Sequence, residues 1–498
     1  MNRLLITLGF LLGHVLLVLG MRVSSHVATL HALSAVGLGL AWVWTSREIK
    51  TAAFVVAYIA GAEALWRMTG ANVFWEFGKY ATVLILVVAW ARHGRFAPPV
   101  GPMLFFALLL PSVILTVSAV GLVEARGFVS FNLSGPLSLA VCCIYFSRVQ
   151  FNPADLRRFL LCLSGPILGV AVGCLAGIVS KDQIEFGTES NYETSGGYGP
   201  NQVSSLLGMG MLSAFLFYNL YRRSMWEGLV WLAILLFCAA QSALTFSRTG
   251  VYIGMATILI AAFYLARNRK AMLGLLSGVT VFVGVGFFIV FPFLNMYTGG
   301  NLSERFQEKN VSNRDIIAKT DLQLWLMNPI AGTGPGMCKV ARKEAFGFGG
   351  VAHTEFTRLF AEHGMFGGMA LLVLLQIGWK NYFKASGTIP RAIVSAFLTF
   401  TFLFMIASGM RLVLPAVSFG LSCSGLIVAK RRTLSARTTS LSPSSGVSAS
   451  RIAIASWRTP LSHARKRHTR FKSQSPEIVL KRDCRRRTSD SRPHPTKS

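Results

Sequence analysis

The sequence predicts an all-α polytopic membrane protein with about 12–14 transmembrane helices and one large, partly helical loop. Of the 498 residues, 53% are hydrophobic and only 14% are charged, which is far from the composition of soluble domains. Apolar runs of roughly 17 residues or more, enough to cross the hydrocarbon core, recur along the chain. Lys and Arg also collect in alternate connections between these runs.

The apolar runs predict about fourteen spans, which we place at residues 4–20, 27–45, 51–66, 78–91, 100–120, 135–146, 159–179, 203–221, 229–245, 250–266, 271–294, 365–378, 392–405 and 412–429. The runs at 78–91, 135–146, 365–378 and 392–405 are the short ones. We therefore expect a transmembrane domain at 1–429, a large loop at 295–364 within it, and a tail at 430–498.

The distribution of Lys and Arg predicts the orientation, because these residues collect in short cytoplasmic loops. The basic connections contain Arg47 and Lys50, Arg92 and Arg95, Arg148, Arg157 and Arg158, Arg222 and Arg223, Arg267, Arg269 and Lys270, and Lys380, Lys384 and Arg391. The intervening connections carry one such residue or none. Both termini are thus expected to be cytoplasmic and, in a bacterium, the 295–364 loop to be periplasmic.

The tail at 430–498 accounts for about half of the net charge of +29. It is rich in Ser, Thr and Arg and has almost no apolar periodicity, which predicts a disordered cytoplasmic segment that touches anionic lipid. No motif indicates nucleic-acid binding. The eight cysteines show neither a disulfide framework nor metal-ligand spacing, and no Asp-x-Asp pair or His/Cys cluster is present, so neither a metal nor a cofactor is predicted.

Two features outside the large loop are candidates for binding on the predicted periplasmic side. Asn201 and Gln202 follow the turn SGGYGP, where their amides would either bind sugar hydroxyls or cap a helix. Arg248 stands where one span ends and the next begins, with no loop to carry it into water. Such an arginine usually has a partner, either a carboxylate or a ligand anion, although a snorkelling side chain is the alternative.

The large loop itself predicts two helices separated by glycines. Ser312, Asn313, Arg314 and Asp315 fit a capping box, and the helix that they open should end at Asn328-Pro329. The following GTGPG run predicts a turn rather than a phosphate loop, because no Gly-Lys-Ser/Thr follows. A second helix is expected to begin near His353.

These residues suggest a chemistry. The positive end of a helix dipole would keep His353 neutral, as a general base for a hydroxyl must be; a histidine that merely packs is the alternative. Arg248, Arg305 and Arg314 supply permanent positive charge, and guanidinium groups bind phosphate oxygens in pairs. Together they would bind a diphosphate without a metal ion.

Three runs resemble the O-antigen ligase and polysaccharide polymerase superfamily: LTFSRTGVYIGM, NRDIIAKTDLQLWLMNPIAGTGPGM and AHTEFTRLFAEHGMFGGMALLVLL. The stretch GGYGPNQVSS is also similar to one in some members. The match covers roughly residues 192–375. It departs from the family at Thr354, where members usually have Asn, and at Arg305, which has no clear counterpart.

The resemblance implies a metal-independent glycosyltransferase of the bacterial inner membrane whose donor is an undecaprenyl-diphosphate-linked glycan. By position, Arg248 and Arg314 would bind the diphosphate and His353 would activate the acceptor hydroxyl, on a glycan, lipid A–core or another acceptor. Ligase and polymerase activities stay open, since only the acceptor differs. A transporter or flippase of lipid-linked oligosaccharide is the alternative; the polar residues within spans are few, and no internal repeat is evident.

Overall fold

The structure is a computed structural model that describes residues 2–94, 97–181, 183–187, 189–266, 272–273, 280–281, 284–307 and 314–427. The predicted disordered tail, Ser312 and Asn313 of the predicted capping box, and much of the predicted 271–294 span lie outside the described residues.

The described chain is helical almost throughout. Its helices are α1 Asn2–Val23, α2 Ser25–Thr45, α3 Thr51–Met68, α4 Phe77–Arg92, α5 Val100–Ala107, α6 Val113–Phe146, α7 Pro153–Val179, α8 Pro200–Leu216, α9 Met225–Leu244, α10 Arg248–Leu265, α11 Phe291–Tyr297, α12 Asn301–Gln307, α13 Arg314–Met327, α14 Cys338–Phe346, α15 Glu355–Lys384, α16 Thr388–Ser408 and α17 Leu414–Cys423. Single π-helical turns, Phe217–Tyr221 and Gly286–Val290, extend α8 and precede α11.

Nine helices in the described residues are long and apolar enough to cross a membrane. They are α1, α2, α6, α7, α8 with its π turn, α9, α10, α15 and α16. The prediction of an all-α polytopic membrane protein is thus confirmed, whereas the larger number of spans stays a prediction. Helix α3 lies in the protein interior along nearly its whole length. It contains a buried ion pair, formed by Glu63 and Arg67.

Two predicted spans have different bounds in the structure. The predicted 100–120 span is interrupted, because α5 ends at Ala107 and α6 begins at Val113 and continues to Phe146 through a kink at Gly121. The predicted 412–429 span ends early, at Cys423. The chain then forms a two-residue strand, β2 (Gly425–Leu426), parallel to β1 (Gln150–Phe151). The backbone N–H groups of β2 therefore bond to the neighbouring β1 segment, and the helix does not continue.

Contacts define two ends of the helix bundle. At the end that we call the strand end, β1 and β2 pair, and Lys50 Nζ lies 2.9 Å from Asp155 Oδ2. At the other, which we call the loop end, Arg67 Nη1 donates to the Tyr198 hydroxyl at 2.6 Å and to the Arg411 carbonyl at 3.3 Å. The predicted cytoplasmic connections thus contact one another, as do the predicted periplasmic ones. Which side of the membrane each end faces stays a prediction.

A hydrogen-bonded chain crosses the interior between α1, α2 and α3. The Trp66 indole donates to His31 Nδ1 at 2.9 Å, and His31 Nε2 lies 2.8 Å from the Tyr58 hydroxyl. The same hydroxyl lies 3.1 Å from His14 Nε2, and His14 Nδ1 lies 2.8 Å from the Phe10 carbonyl oxygen. An indole only donates and a carbonyl only accepts, so His31 is neutral and His14 donates to Phe10.

Candidate active site

A buried ion pair holds the helices of the large loop together. Arg342 of α14 forms a salt bridge with Asp321 of α13, and both side chains are fully buried. Thr357 of α15 donates its hydroxyl to Asp321 Oδ2 at 2.8 Å. Arg342 also donates to the Gly350 carbonyl. The three helices therefore form one unit at the loop end, which the sequence did not indicate, because Arg342 lies in a helix that we had not predicted.

The GTGPG run joins this unit to the membrane helices. Helix α15 is kinked at Gly364, where φ is +59°. Thr333 N and Gly334 N donate to the carbonyls of Ala361 and Glu362, each at 2.9 Å. The prediction of a turn is confirmed, and its function is to satisfy carbonyl groups next to the kink.

The glycines of this run are required by both conformation and space. Gly332, Gly334 and Gly336 all have positive φ angles, of +71°, +95° and +81°. A Cβ on Gly334 would lie 2.6 Å from Thr116 Oγ1, and one on Gly336 would lie 2.7 Å from Asn132 Nδ2. The run thus packs directly against α6, as only residues without a side chain can.

Asn201 connects the large loop to the span junction at the start of α10. Arg314 Nη2 donates to Asn201 Oδ1 at 2.8 Å. Ser247 Oγ donates to the same oxygen at 2.7 Å. One amide oxygen therefore joins α8, α10 and α13; Asn201 lies beside Arg314 and does not cap α8, whose N-cap is Gly199.

The junction that carries Arg248 is fixed by close packing of α8 on α10. Ser204 Oγ donates to the Ser247 carbonyl at 2.8 Å and accepts from Gly250 N at 2.9 Å. A Cβ on Gly250 would lie 1.8 Å from the Ser204 carbonyl oxygen, so glycine is required there. This packing positions Arg248, the first residue of α10, at the loop end.

Arg305 is buried in the short helix α12. Its Nε donates to the Phe246 carbonyl at 3.0 Å, two residues before Arg248. Burial, followed by the positive charges of Arg305 and Arg248, lowers the pKa of Arg314. The three predicted arginines therefore lie close enough for their charges to interact, although they come from three separate helices.

His353 is half-buried and precedes α15. The N-cap is Thr354 and the helix begins at Glu355, so a helix begins near His353 as predicted, but His353 itself lies two residues before it and not in its first turn. The Thr354 hydroxyl accepts from the backbone N–H of Phe356. This bond caps the helix, so the extended segment that contains His353 ends at Thr354.

The ring of His353 is nevertheless kept neutral. Burial, together with the positive charges of Arg314, Arg411 and Arg342, lowers the pKa of His353 to about 4. The cause is thus burial and three arginines rather than the helix dipole that we had assumed. Because Arg314 contributes to this shift, His353 belongs to the same arginine cluster as Arg248 and Arg305.

Arg411 is a neighbour of His353 that the sequence did not single out. Its Nη2 donates to the Ala352 carbonyl at 3.1 Å, and its guanidinium carbon lies 5.6 Å from the Phe131 ring centroid. In the sequence, Arg411 is simply the one basic residue of a short intervening connection. Its position between residue 352 and α6 could not be inferred from the sequence, because those segments are far apart along the chain.

A buried network of ion pairs and hydrogen bonds holds the start of α15 in place. Arg358 Nη1 lies 2.5 Å from Glu362 Oε2, and Arg358 also pairs with Glu355. Glu355 Oε2 accepts from the backbone N–H of Met410 at 3.2 Å. Arg358 Nη1 further donates to Asn132 Oδ1 at 3.1 Å. These side chains satisfy one another, so we assign them to positioning rather than to binding.

Gln202 does not join the arginine cluster. In the described part of the chain its side chain makes no hydrogen bond, and its Oε1 lies against the backbone of Gly199, where a Cβ would be 2.1 Å away. Of the two predicted amides, therefore, the structure brings only Asn201 together with a predicted arginine.

An aromatic cavity of about 820 Å³ opens at the loop end. Its walls include Trp75, Tyr80, Phe131, Arg126 and Glu76. Glu76 is buried; within the described part of the chain its Oε1 has no hydrogen-bond partner, whereas its Oε2 accepts from Ser134 at 2.8 Å and pairs with Lys79. Phe131 also contacts Arg411, so this cavity adjoins the side of the site on which His353 lies.

Among the described residues, no group of three or more His, Cys, Asp and Glu side chains lies close enough to hold a metal ion. The fold and these helices define a multi-pass helical membrane protein with a cluster of arginines and one neutral histidine at one end of its bundle. No protein-family model matches the chain, and no curated protein matches it.

Proposed function

We propose that the protein is a glycosyltransferase that moves a glycan from an undecaprenyl-diphosphate-linked donor to an acceptor hydroxyl. The observation that carries the proposal is the pairing of a three-arginine cluster with a half-buried histidine whose pKa is lowered to about 4. Such a histidine is neutral at pH 7, and a diphosphate bound beside the arginines would offset the charges that weaken it as a base. The arginines, which remain charged, suit a diphosphate leaving group.

Arg248, Arg305 and Arg314 would bind the diphosphate. Packing three like charges together costs free energy unless an anion offsets them, and Arg314 is paired with a neutral amide rather than with a carboxylate. Asn201 holds Arg314 in position by its 2.8 Å bond. As the bond between the sugar and the diphosphate breaks, negative charge grows on the leaving oxygen, and the guanidinium groups stabilise it there.

His353 would accept the proton of the acceptor hydroxyl. The acceptor oxygen forms a bond to the anomeric carbon, the bond from that carbon to the diphosphate oxygen breaks, and undecaprenyl diphosphate leaves with the bonding electrons. The proton on His353 then passes to water. Neutrality of the ring before the reaction is required for this function, and the surrounding arginines favour rapid loss of the proton afterwards.

The acceptor would approach through the aromatic cavity beside Arg411. Trp75, Tyr80 and Phe131 offer faces for sugar rings, and Arg126 offers a polar group for hydroxyls. The acceptor is a glycan, lipid A–core or another hydroxyl compound. Neither a cofactor nor a nucleic acid takes part in the proposal, and no metal ion is required since arginines take its place.

The proposal locates the protein in the bacterial inner membrane with the loop end in the periplasm. The excess of Lys and Arg in the connections at the strand end supports this orientation. It also places both termini in the cytoplasm and the basic tail next to the anionic lipids of the inner leaflet.

Transport of lipid-linked oligosaccharide is less well supported. Two polar residues within spans, His14 and His31, are held in the chain that begins at the Trp66 indole and ends at the Phe10 carbonyl. Neither end group can pass on a proton, so this chain suits packing of α1, α2 and α3 rather than proton-coupled movement.

Deleting the gene and analysing the envelope tests the proposal. Loss of long glycan from lipid A–core alone is expected for a ligase, whereas single repeat units without polymer are expected for a polymerase. An unchanged set of envelope glycans, or donor that accumulates on the cytoplasmic leaflet, would contradict transfer at the loop end.

A further inference from the structure

A cationic cavity lies at the strand end, away from the candidate active site. It has a volume of about 400 Å³ and lies between the starts of α1 and α7 and the connection from α8 to α9. Its lining includes four arginines, Arg3, Arg157, Arg158 and Arg223. Basic residues at this end are expected from topology alone, but topology does not require four of them to surround one cavity.

These arginines have no carboxylate partners among the described residues. None of the four appears in a salt bridge there, in contrast to Lys50, Arg67 and Arg358 of the same chain. Arg157 Nη2 donates to the neutral Thr7 hydroxyl at 2.8 Å, and its Nε has no partner among the residues that the structure describes. The positive charge of these guanidinium groups is therefore not offset by a salt bridge within the described residues.

The acidic residues nearby offset only part of this charge; Glu227 Oε1 has no partner among the described residues, and its charge acts on Arg157. Asp155 is bound by Lys50 at 2.9 Å and caps the first turn of α7. Glu227 Oε2 accepts from the backbone N–H of Arg223 at 2.9 Å. Even if Glu227 offsets one positive charge, four guanidinium groups leave an excess of about three at the cavity. An anion with two phosphates would balance most of it.

Apolar side chains beside the cavity indicate that the anion belongs to a lipid. Leu5 and Ile6 follow Arg3 and are 58% and 70% exposed, while Met225 and Trp226 follow Arg223 and are 78% and 72% exposed. In a membrane protein these side chains contact acyl chains, and tryptophan favours the headgroup level. The cavity is thus positioned to take the headgroup of a lipid whose chains lie along α1 and α9.

We propose that the cavity lined by Arg3, Arg157, Arg158 and Arg223 binds the headgroup of a two-phosphate phospholipid such as cardiolipin. The guanidinium groups around the cavity donate to the phosphate oxygens, and lysine would not reproduce such planar bidentate contacts. The site does not depend on the transfer reaction proposed above, because it lies at the opposite end of the bundle.

Native mass spectrometry of the full chain in detergent tests this site. The variant is Arg158→Gln with Arg223→Gln, since both side chains are exposed and the bond from Arg157 to Thr7 is kept. The control is Arg47→Gln with Lys380→Gln, which removes two exposed charges outside the cavity. Added cardiolipin is expected to bind wild type and control alike, and to bind the variant about 10- to 30-fold more weakly.

Three outcomes would overturn the proposal. Equal cardiolipin binding by variant and control would show that the cavity is not the site. Equally tight binding of phosphatidylglycerol, which carries one phosphate, would remove the two-phosphate preference. Displacement of cardiolipin by pyrophosphate or inorganic phosphate at equal concentration would indicate a soluble anion instead.

A further variant, Arg157→Gln, is expected to show the weakest lipid binding. Cardiolipin should no longer raise the unfolding temperature of this variant.

Discussion

Asn201 Oδ1 accepts hydrogen bonds from Arg314 Nη2 at 2.8 Å and from Ser247 Oγ at 2.7 Å. The amide therefore connects the large loop with the junction at which Arg248 begins α10. An Asn201→Ala variant leaves Arg314 without its only described hydrogen-bond acceptor, in a cluster of like charges. We expect glycan transfer to fall by about 10²-fold, a typical loss when an aligned charge at a leaving group is displaced.

The matched control for Asn201 is Asn219→Ala. Asn219 Nδ2 makes one bond, to the Phe215 carbonyl at 2.9 Å, in the turn that extends the other end of α8. Transfer by this variant should be within about twofold of wild type, because the lost bond is local. Equal activities of the two variants, measured with purified lipid-linked donor, would mean that Asn201 does not hold Arg314 for catalysis.

The pH dependence of transfer reports on His353. Its pKa is lowered to about 4, and the neutral form is the active base, so activity is retained above that value and is lost as the pH falls through about 4. A histidine without these neighbours would lose activity already near 6.5. Initial rates from pH 3.5 to 8, taken at donor concentrations well below KM so that they report the free protein, should therefore be flat across 6.5. A half-maximal rate near 6.5 would contradict the arrangement of arginines around His353.

Removing one member of the buried pair in the large loop should be costly. Arg342→Met leaves the Asp321 carboxylate buried without its partner, and we expect unfolding to require about 3–5 kcal/mol less. The adjacent exposed Lys343 gives a control, Lys343→Met, for which little change is expected. Chemical unfolding and the rate of proteolysis between residues 328 and 352 measure the effect.

A second variant separates the ion pair from packing. Combining Arg342→Met with Asp321→Leu removes both charges, so it should restore part of the lost stability. If the double variant is less stable than Arg342→Met alone, packing rather than the unpaired carboxylate explains the loss.

Two glycines distinguish backbone strain from crowding. Gly334 and Gly347 both have positive φ, +95° and +75°, but a Cβ on Gly334 would lie 2.6 Å from Thr116 Oγ1, whereas nothing lies within 4 Å of one on Gly347. Gly347→Ala should cost about 1–2 kcal/mol from strain. Gly334→Ala should cost roughly a further 1–3 kcal/mol from overpacking. Similar unfolding temperatures would show that the GTGPG run does not pack tightly on α6.

The sequence predicted the parts of the molecule that depend on local pattern. Hydrophobic run length predicted the membrane helices, and the glycines predicted the turn after Asn328, whose positive φ angles follow directly from lacking a Cβ. The predicted ends of the helices are wrong where tertiary contacts determine them. Helix α17 stops at Cys423 because Gly425 finds a backbone partner in β1, and no pattern within 412–429 encodes that strand.

The candidate site was predictable by residue type but not by partner. Arg248, Arg314 and His353 stood out through their positions relative to predicted spans. The positive charges of the two arginines follow from residue type alone. Arg342 and Arg411 were missed, because an arginine that shifts a histidine pKa from 11 or 58 residues away leaves no local signal. The neutral state of His353 was expected for the wrong cause, since position at a helix end was assumed where burial and neighbouring charge act.

The most direct test of the central claim is transfer in proteoliposomes with purified lipid-linked donor and acceptor in the presence of EDTA. Wild type is expected to transfer glycan, whereas Arg248→Ala and His353→Ala insert normally and lose at least about 10²-fold in rate. Wild-type rates from both variants, or a wild type that works only after divalent metal is added, would contradict a transferase in which these arginines bind the diphosphate and His353 takes the proton.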